Sequence, residues 1–518
     1  MKTNRQQLLI AMAVSLGGFL FGFDAAVISG VTNSVMVEFG LSDLQLGWVV
    51  ACLTFASAAA MLTAGPLSDR FGRKNLLFLV GIFYGISALL SAVAVSYPML
   101  VIARMIGGLA VGASLVLAPM YIAEISPPES RGKMVSIQQL NIVLGFSAAY
   151  FSNYYLLKIS QMPADWVAML GMDTQVWRWM LGIELIPALL FAIAMIWVPA
   201  SPRWLMSKGK LAEAQKVLDS LYSPEASASE FAAINDYFSQ GRRHVDWRMV
   251  FSKSLRLVLF IGLIVGILQQ ITGVNAIYFY ATMIFEQSGI GKDAAFAQAI
   301  WIGIVNVVFT LLAMSLIDKI GRRPLLLAGV IGVVVSLSIT AYGFSEATYR
   351  LEPADLSAIE GLTITPELTA LSGETFSDDV AFKNTVREAV GEQAYAEHQG
   401  AIIASAIDMN PVLVLVGILG FVASFAVSLG PVMWVLLSEL FPNWIRGVAI
   451  SLIGFVNAVV SFLVQLLFPW ELSHFGNAWS YLIFAGFGLI GLILLYRYLP
   501  ETKGKSLEEI EETLVLKS

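Results

Sequence analysis

The chain has 518 residues, of which 57% are hydrophobic and 13% charged, with a formal net charge of -6, and its mean hydropathy is +0.76. That balance excludes the water-soluble globular classes and points to a chain that crosses a membrane many times. The net charge says little about partners, because Lys and Arg are concentrated in alternate loops.

A helix needs about 20 largely apolar residues to cross the hydrocarbon core. Such runs predict spans over 8–31, 46–66, 76–96, 99–121, 135–157, 178–198, 255–283, 295–316, 324–344, 411–436, 447–470 and 479–498. The first is long and lacks a small-residue cleavage pattern, which reads as a retained helix rather than a signal peptide. It contains "GFLFGFDAAVISG", Gly18 to Gly30, where Asp24 is a lone carboxylate among apolar residues. A carboxylate there is costly unless it is paired, protonated or solvated. The only cysteine, Cys52, falls in the second run and reads as a small apolar residue.

The chain repeats itself. "DRFGRK" (Asp69–Lys74) and "DKIGRR" (Asp318–Arg323) each join two apolar runs by a tight basic turn, and "YIAEISPPESRG" and "LLSELFPNWIRG" each place an arginine, Arg131 or Arg446, seven residues after a glutamate, Glu124 or Glu439. The repeat unit is about six helices, giving an N-terminal half over 1–198, a linker over 199–254, a C-terminal half over 255–498 and a tail over 499–518. The linker run "KLAEAQKVLDSLY" has helical composition and spacing. The second half is longer, and the segment at about 345–410 accounts for the difference. It is rich in acidic residues, among them Glu346, Glu352, Asp355, Glu360, Asp378 and Asp379, and reads as a solvated spacer with short amphipathic helices rather than a binding domain.

Placing the amino terminus inside puts Arg70, Arg73, Lys74, Arg131, Lys133, the basic residues of 203–256, Lys319, Arg322, Arg323, Lys503 and Lys505 in cytoplasmic segments. The connection over 32–45 has Glu38 and Asp43 but no Lys or Arg and reads as external, so both termini are expected in the cytoplasm and 345–410 outside. Six-helix halves joined by a linker are a layout of transporters that rock about a central site.

The strings "GPLSDRFGRK", "RMIGGLAVG", "PMYIAEISPPESRGK", "SPRWL", "LQQITGVNAIYFY", "DKIGRRPL", "GPVMWVLLSELFPNWIRG" and "PETKG", in this order over both halves, resemble the sugar porter family of the major facilitator superfamily, with the bacterial pentose and hexose proton symporters as nearest look-alikes. The resemblance implies an all-α major facilitator fold of twelve transmembrane helices and transport of a monosaccharide by alternation between outward-open and inward-open states.

Asp24 lies about 24 Å along the first helix and Arg104 about 8 Å below the outer surface, at 1.5 Å per residue, so the two share a depth. Glu184, near the outer end of helix six, is a second carboxylate at that level. Arg104 favours the Asp24 anion, dry surroundings favour the acid, and access of outside water then governs protonation. In the resembling family an aspartate at this place accompanies proton coupling, whereas passive members carry a neutral residue. A static ion pair that fixes helix packing is the alternative. No nucleotide site is expected: the glycines of "GGLAVG" lie in an apolar helix, where close packing explains them better than phosphate binding.

Sugar hydroxyls call for uncharged donors and acceptors, which amides combine. Gln139, Gln269, Gln270, Asn275, Asn306 and Asn457 match the family's sugar-contacting positions, and Trp434, just after an expected break at Gly430–Pro431, matches a tryptophan that lies against a sugar face. Interhelical hydrogen bonding and core packing are the respective alternatives. Thr272 and Gly273 are expected to loosen helix seven beside the glutamines. Two departures stand out: Ala458 where a tryptophan usually follows the helix-eleven amide, and Ala200 where relatives usually have glutamate. Asp69, Arg70, Arg73, Glu124, Arg131, Asp318, Arg322, Glu439 and Arg446 gather at cytoplasmic helix ends, both anchoring tight loops and offering a latch between halves; a spacing of seven puts Glu and Arg on one face if the helix persists.

A passive facilitator, a non-transporting sugar sensor and multidrug antiport remain as alternatives. An enzyme is not expected, since His244, His398 and His474 are scattered, and neither metal, cofactor nor nucleic acid is called for. The expected partners are a monosaccharide, a proton and the lipid bilayer, and the expected location is a bacterial inner membrane, though a plasma membrane fits as well. The choice of sugar and the oligomeric state stay open.

Overall fold

The computed structural model describes residues 5–127, 130–239, 247–352, 356–357, 359, 361–442 and 444–503. Twelve helices among the described residues are long and apolar enough to cross a membrane. Spans one to six are Arg5–Gly30, Asp43–Phe71, Arg73–Ala92, Tyr97–Ile125, Arg131–Ser160 and Met172–Trp197. Spans seven to twelve are Lys253–Phe279, Lys292–Ile320, Arg322–Ser345, Pro411–Leu440, Arg446–His474 and Gly476–Tyr498. Each expected run is found, and several helices continue into flanking polar residues, because the backbone gains its hydrogen bonds there as it does in lipid. The two basic turns pivot on Gly72 (φ 89°) and Gly321 (φ 106°), a conformation that side-chain-bearing residues rarely adopt.

Three spans are interrupted. Span six stops at Gly182 and resumes at Leu185, with Glu184 as the N-cap residue of its second part. Span seven ends its first helix at Ile271, turns through Gly273 (φ 86°), and continues as Val274–Phe279, followed by a further helix, Ala281–Glu286. A Cβ on Gly273 would lie 2.6 Å from the Phe484 ring, so both space and conformation require glycine. Span ten breaks at Ser428 (φ −129°, ψ −91°) rather than at Gly430–Pro431. Pro431 thus falls in the first turn of a new helix, where its missing N–H costs nothing.

The chain forms two compact units, one of Met1–Ala25, Cys52–Ala149 and Arg178–Asp246, the other of Ala26–Ala51, Tyr150–Trp177 and Trp247–Ser518. In the first unit, spans two and four approach closely: a Cβ on Gly108 would collide with the Leu53 carbonyl, and one on Gly112 with that of Ser57, which gives the "GGLAVG" glycines their packing role. The linker adds helices Pro202–Ser207, Leu211–Leu221 and Pro224–Ser239, joined by Leu205, Met206, Ala214 and Ile234. In the second unit, the ends of spans one and five pack on second-half helices: the Thr282 hydroxyl donates to the Ser29 carbonyl and the Tyr150 hydroxyl to that of Tyr278 at 2.7 Å.

The segment expected to be a solvated spacer is instead a folded module. Strand β1 (Thr348–Arg350) pairs antiparallel with β2 (Thr375–Phe376) on one side and β3 (Ile407–Asp408) on the other. Helices Asp379–Val390 and Glu392–Ala406 pack on them. Tyr349, Leu351, Leu368, Phe382, Val386, Tyr395 and Ile402 form a buried core, which the acidic average composition hides. Asp355 and Glu360, like Lys505, His244 and the tail beyond 503, lie outside the described residues.

Candidate functional site

In the first unit, Asp24 and Arg104 meet. Span one carries the carboxylate and span four the guanidinium, both are buried, and Arg104 Nη1 donates to Asp24 Oδ1. The same guanidinium lies 3.4 Å from the Asp24 backbone carbonyl. Glu184, placed by the interruption of span six, is buried within electrostatic range of both. Asp24 Oδ2, Glu184 Oε1 and Arg104 Nε are buried and have no hydrogen-bond partner among the described residues. The cluster is therefore a single ion pair and a second carboxylate with acceptor positions left over, in surroundings too dry to ionise both acids cheaply. Cys52, also buried, donates weakly to the Val101 carbonyl at 3.8 Å.

In the second unit, five of the expected side chains converge on two interrupted spans. Gln269 donates to the Leu429 carbonyl at 3.1 Å, where span ten breaks. Asn457 donates to Gln269 Oε1 and to the Gly266 carbonyl, each at 2.8 Å. Gln270 donates to Asn457 Oδ1 at 3.3 Å and accepts from Asn275 at 2.9 Å. Trp434 lies against the same helix: a Cβ on Gly454 would sit 3.8 Å from its ring. At 41% exposure it is not packed into a core. Gln139 is half-buried on span five in the other unit, and Asn306 is buried on span eight but takes part in none of these bonds.

Two residues not anticipated complete the network. Ser461 accepts from Asn275 at 2.6 Å and from Gln465 at 2.8 Å. Asn457, Ser461 and Gln465 recur every four residues, which aligns them on one helical face; that spacing was the signal available in the sequence. Gln269, Gln270, Asn275, Asn457 and Gln465 are each held by partners within the unit, a network of neutral donors and acceptors oriented before any ligand arrives.

The charged helix ends form two matching clusters, each within its own half. Arg73 pairs with Asp69 at 2.9 Å and Glu124 at 3.2 Å, and Ser201 donates to Glu124. Arg322 pairs with Asp318 at 3.2 Å and Glu439 at 2.7 Å, and Thr502 donates to Glu439 at 2.6 Å. Glu501 accepts from the backbone N–H groups of Arg322 and Arg323, each at 3.1 Å; Ala200, at the equivalent place, offers no carboxylate. The expectation that Glu124 and Arg131, or Glu439 and Arg446, share a helical face is corrected: helices end at Ile125 and Leu440 and new ones start at Arg131 and Arg446, since proline in "SPPE" and "FPNW" stops the first helix. Arg446 donates instead to the Phe441 carbonyl at 3.1 Å, and Arg70 is exposed over the Phe71 ring.

A model of the family described as sugar (and other) transporter matches residues 10–365 and 395–514, passing over part of the inserted module. The D-xylose-proton symporter of Escherichia coli (strain K12) is 32% identical over 97% of this chain and 94% of its own length. The glucose transporter GlcP of Staphylococcus epidermidis is 31% identical over 99% and 98%. Among solved structures, the partially occluded inward-open conformation of the xylose transporter XylE from E. coli superposes with a TM-score of 0.72 at 29% identity, covering 97% of this chain and 100% of that one. With the twelve spans, the repeat and these matches together, the chain belongs to the sugar transporter family of the major facilitator superfamily, a multi-pass membrane transporter and not an enzyme.

Proposed function

We propose that the protein imports a monosaccharide by proton symport through alternating access, with Asp24 as the proton carrier, from a bacterial inner membrane in which both termini are cytoplasmic. The observation that carries this reading is the buried Asp24–Arg104 pair with Asp24 Oδ2 unpartnered. A proton arriving on Asp24 cancels its attraction for Arg104, and spans one and four are then held together less strongly. Glu184 takes part by competing for the same cation. The sugar binds on the amides Gln269, Gln270, Asn275 and Asn457, with Asn306 as a further contact and Trp434 against its apolar face. The two arginine clusters hold the cytoplasmic helix ends in each half and change partners as the halves rock.

One charge moved through 100 mV supplies about 2.3 kcal/mol, enough for roughly fifty-fold accumulation at one proton per sugar. The orientation is supported by the basic residues at the helix ends that carry the two arginine clusters, and the symport by relatives named as proton symporters. The test is reconstitution into vesicles with an imposed proton gradient, assaying D-xylose, L-arabinose, D-glucose and D-galactose singly. Gradient-driven accumulation that Asp24→Asn abolishes while sparing sugar counterflow supports the reading. Accumulation unaffected by Asp24→Asn contradicts it.

A further inference from the structure

Glu286 is the last residue of the helix that follows span seven, and it is 7% exposed. Its carboxylate accepts from Asn33, in the segment that follows span one. The inserted module passes over it: a Cβ on Gly400 would lie 3.6 Å from Glu286 Oε2, and Gln399 and Ile403 line a small cavity with Asn33 and Glu286. The module is tied down by a buried lysine, Lys383, which bonds Gln287 Oε1 at 3.0 Å and Asp379 at 3.1 Å. Asp379 in turn accepts two bonds from Asn477, both at 3.0 Å, at the start of span twelve. The transport chemistry proposed above uses none of these groups.

We propose, on the basis of the alternating-access reading, that the inserted module is a lid over the outer gate and that Glu286, sealed beneath it, is a second proton-responsive group, a positioning residue that favours closure when protonated. The contact it seals is the one between Thr282 and Ser29. An acid held between the lid, Asn33 and span seven must either give up its charge or leave water behind. Burial pushes Glu286 up to about 7, against the opposing pull of Lys292 and the Asn33 bond. Lys292 is the charged group acting on it; from the lid come Gln399 and Gly400, which do not titrate. Lys383, Arg387, Glu392 and Asp43 surround the neighbouring Gln287, with Lys383 neutralised by Asp379.

The sign follows from linkage. When the gate opens, Glu286 returns to the ordinary glutamate value of about 4.3, so the closed form binds the proton more tightly. Its contribution to closure is complete below that value and is lost as pH rises through about 7. Between pH 6 and 8 the closed-to-open ratio falls about tenfold.

The test uses the full chain with Cys52→Ala, Asp24→Asn and Ser29→Cys, and a membrane-impermeant maleimide as the probe of gate opening. Labelling rates are compared with those of the same protein carrying Glu286→Gln, a ratio that cancels the thiol's own titration. The expected result is a ratio of Glu to Gln rates that rises about tenfold from pH 6 to pH 8; a flat ratio overturns the role of Glu286. Lys383→Met and, more mildly, Asp379→Asn should speed labelling at both pH values, and unchanged rates in both overturn the lid. Labelling that does not respond to added D-xylose, D-glucose or L-arabinose would overturn alternating access itself, whereas sugar-responsive labelling with a flat ratio overturns this inference alone.

Discussion

A Cβ on Gly107 would lie 2.8 Å from Asp24 Oδ2 and 2.6 Å from Ser87 Oγ. The glycine on span four thus leaves room for the one oxygen of Asp24 that Arg104 does not hold. In an ordinary helix Gly→Ala stabilises by about 1 kcal/mol. Here Gly107→Ala should destabilise by about 1–3 kcal/mol through overpacking and slow proton-driven uptake while sparing counterflow. Thermal unfolding in detergent and vesicle uptake check both; a variant more stable than the parent would refute the packing argument.

Removing one partner of the buried pair is expected to cost more than removing both. Arg104→Met strands a carboxylate in a dry site and should destabilise by about 3–5 kcal/mol unless the acid takes up a proton. Adding Asp24→Asn should recover much of that loss while leaving transport uncoupled. Melting temperatures of the two singles and the double form the cycle, and a double variant no more stable than Arg104→Met would show that the pair is not what couples the two sites.

Asn457 joins Gln269, Gln270 and the Gly266 carbonyl. Asn457→Ala breaks three bonds of a preorganised network and should weaken sugar binding about 10–100-fold. Ser461→Ala, one turn along and bonded to Asn275, should weaken it about 3–10-fold through the loosened Asn275. Titration calorimetry with the transported sugar measures both; unchanged affinity for Asn457→Ala would remove these amides from the site.

The first-half cluster lacks the carboxylate that Glu501 supplies to the N–H groups of Arg322 and Arg323 in the second. Ala200→Glu should provide the same helix cap to Arg73 and Lys74, stabilising by about 0.5–1 kcal/mol. The gain is read as a rise in melting temperature that added salt diminishes, and a fall would show that the two clusters are not structurally equivalent.

The twelve spans were legible because a run of about 20 apolar residues has few other uses, and the shared depth of Asp24 and Arg104 followed from helical rise alone. The pairing of Arg73 with Glu124, and of Arg322 with Glu439, was not, since it joins residues far apart in sequence and depends on which helices pack together. The break of span ten at Ser428 was missed because glycine and proline drew attention two residues later, where proline opens a helix. The inserted module was misjudged because Tyr349, Phe382 and Tyr395 are diluted by acidic neighbours, and an average conceals a core that the fold assembles. Ser461 escaped because a lone serine in an apolar helix is unremarkable until its spacing from Asn457 and Gln465 is counted.

The central claim, that sugar entry brings a proton in through Asp24, is met most directly by recording external pH in lightly buffered, de-energised cells that make this protein, as D-xylose, D-glucose, L-arabinose and D-galactose are added singly. The account predicts alkalinisation with the transported sugar and none with Asp24→Asn. Sugar entry without alkalinisation would contradict symport and leave a passive facilitator.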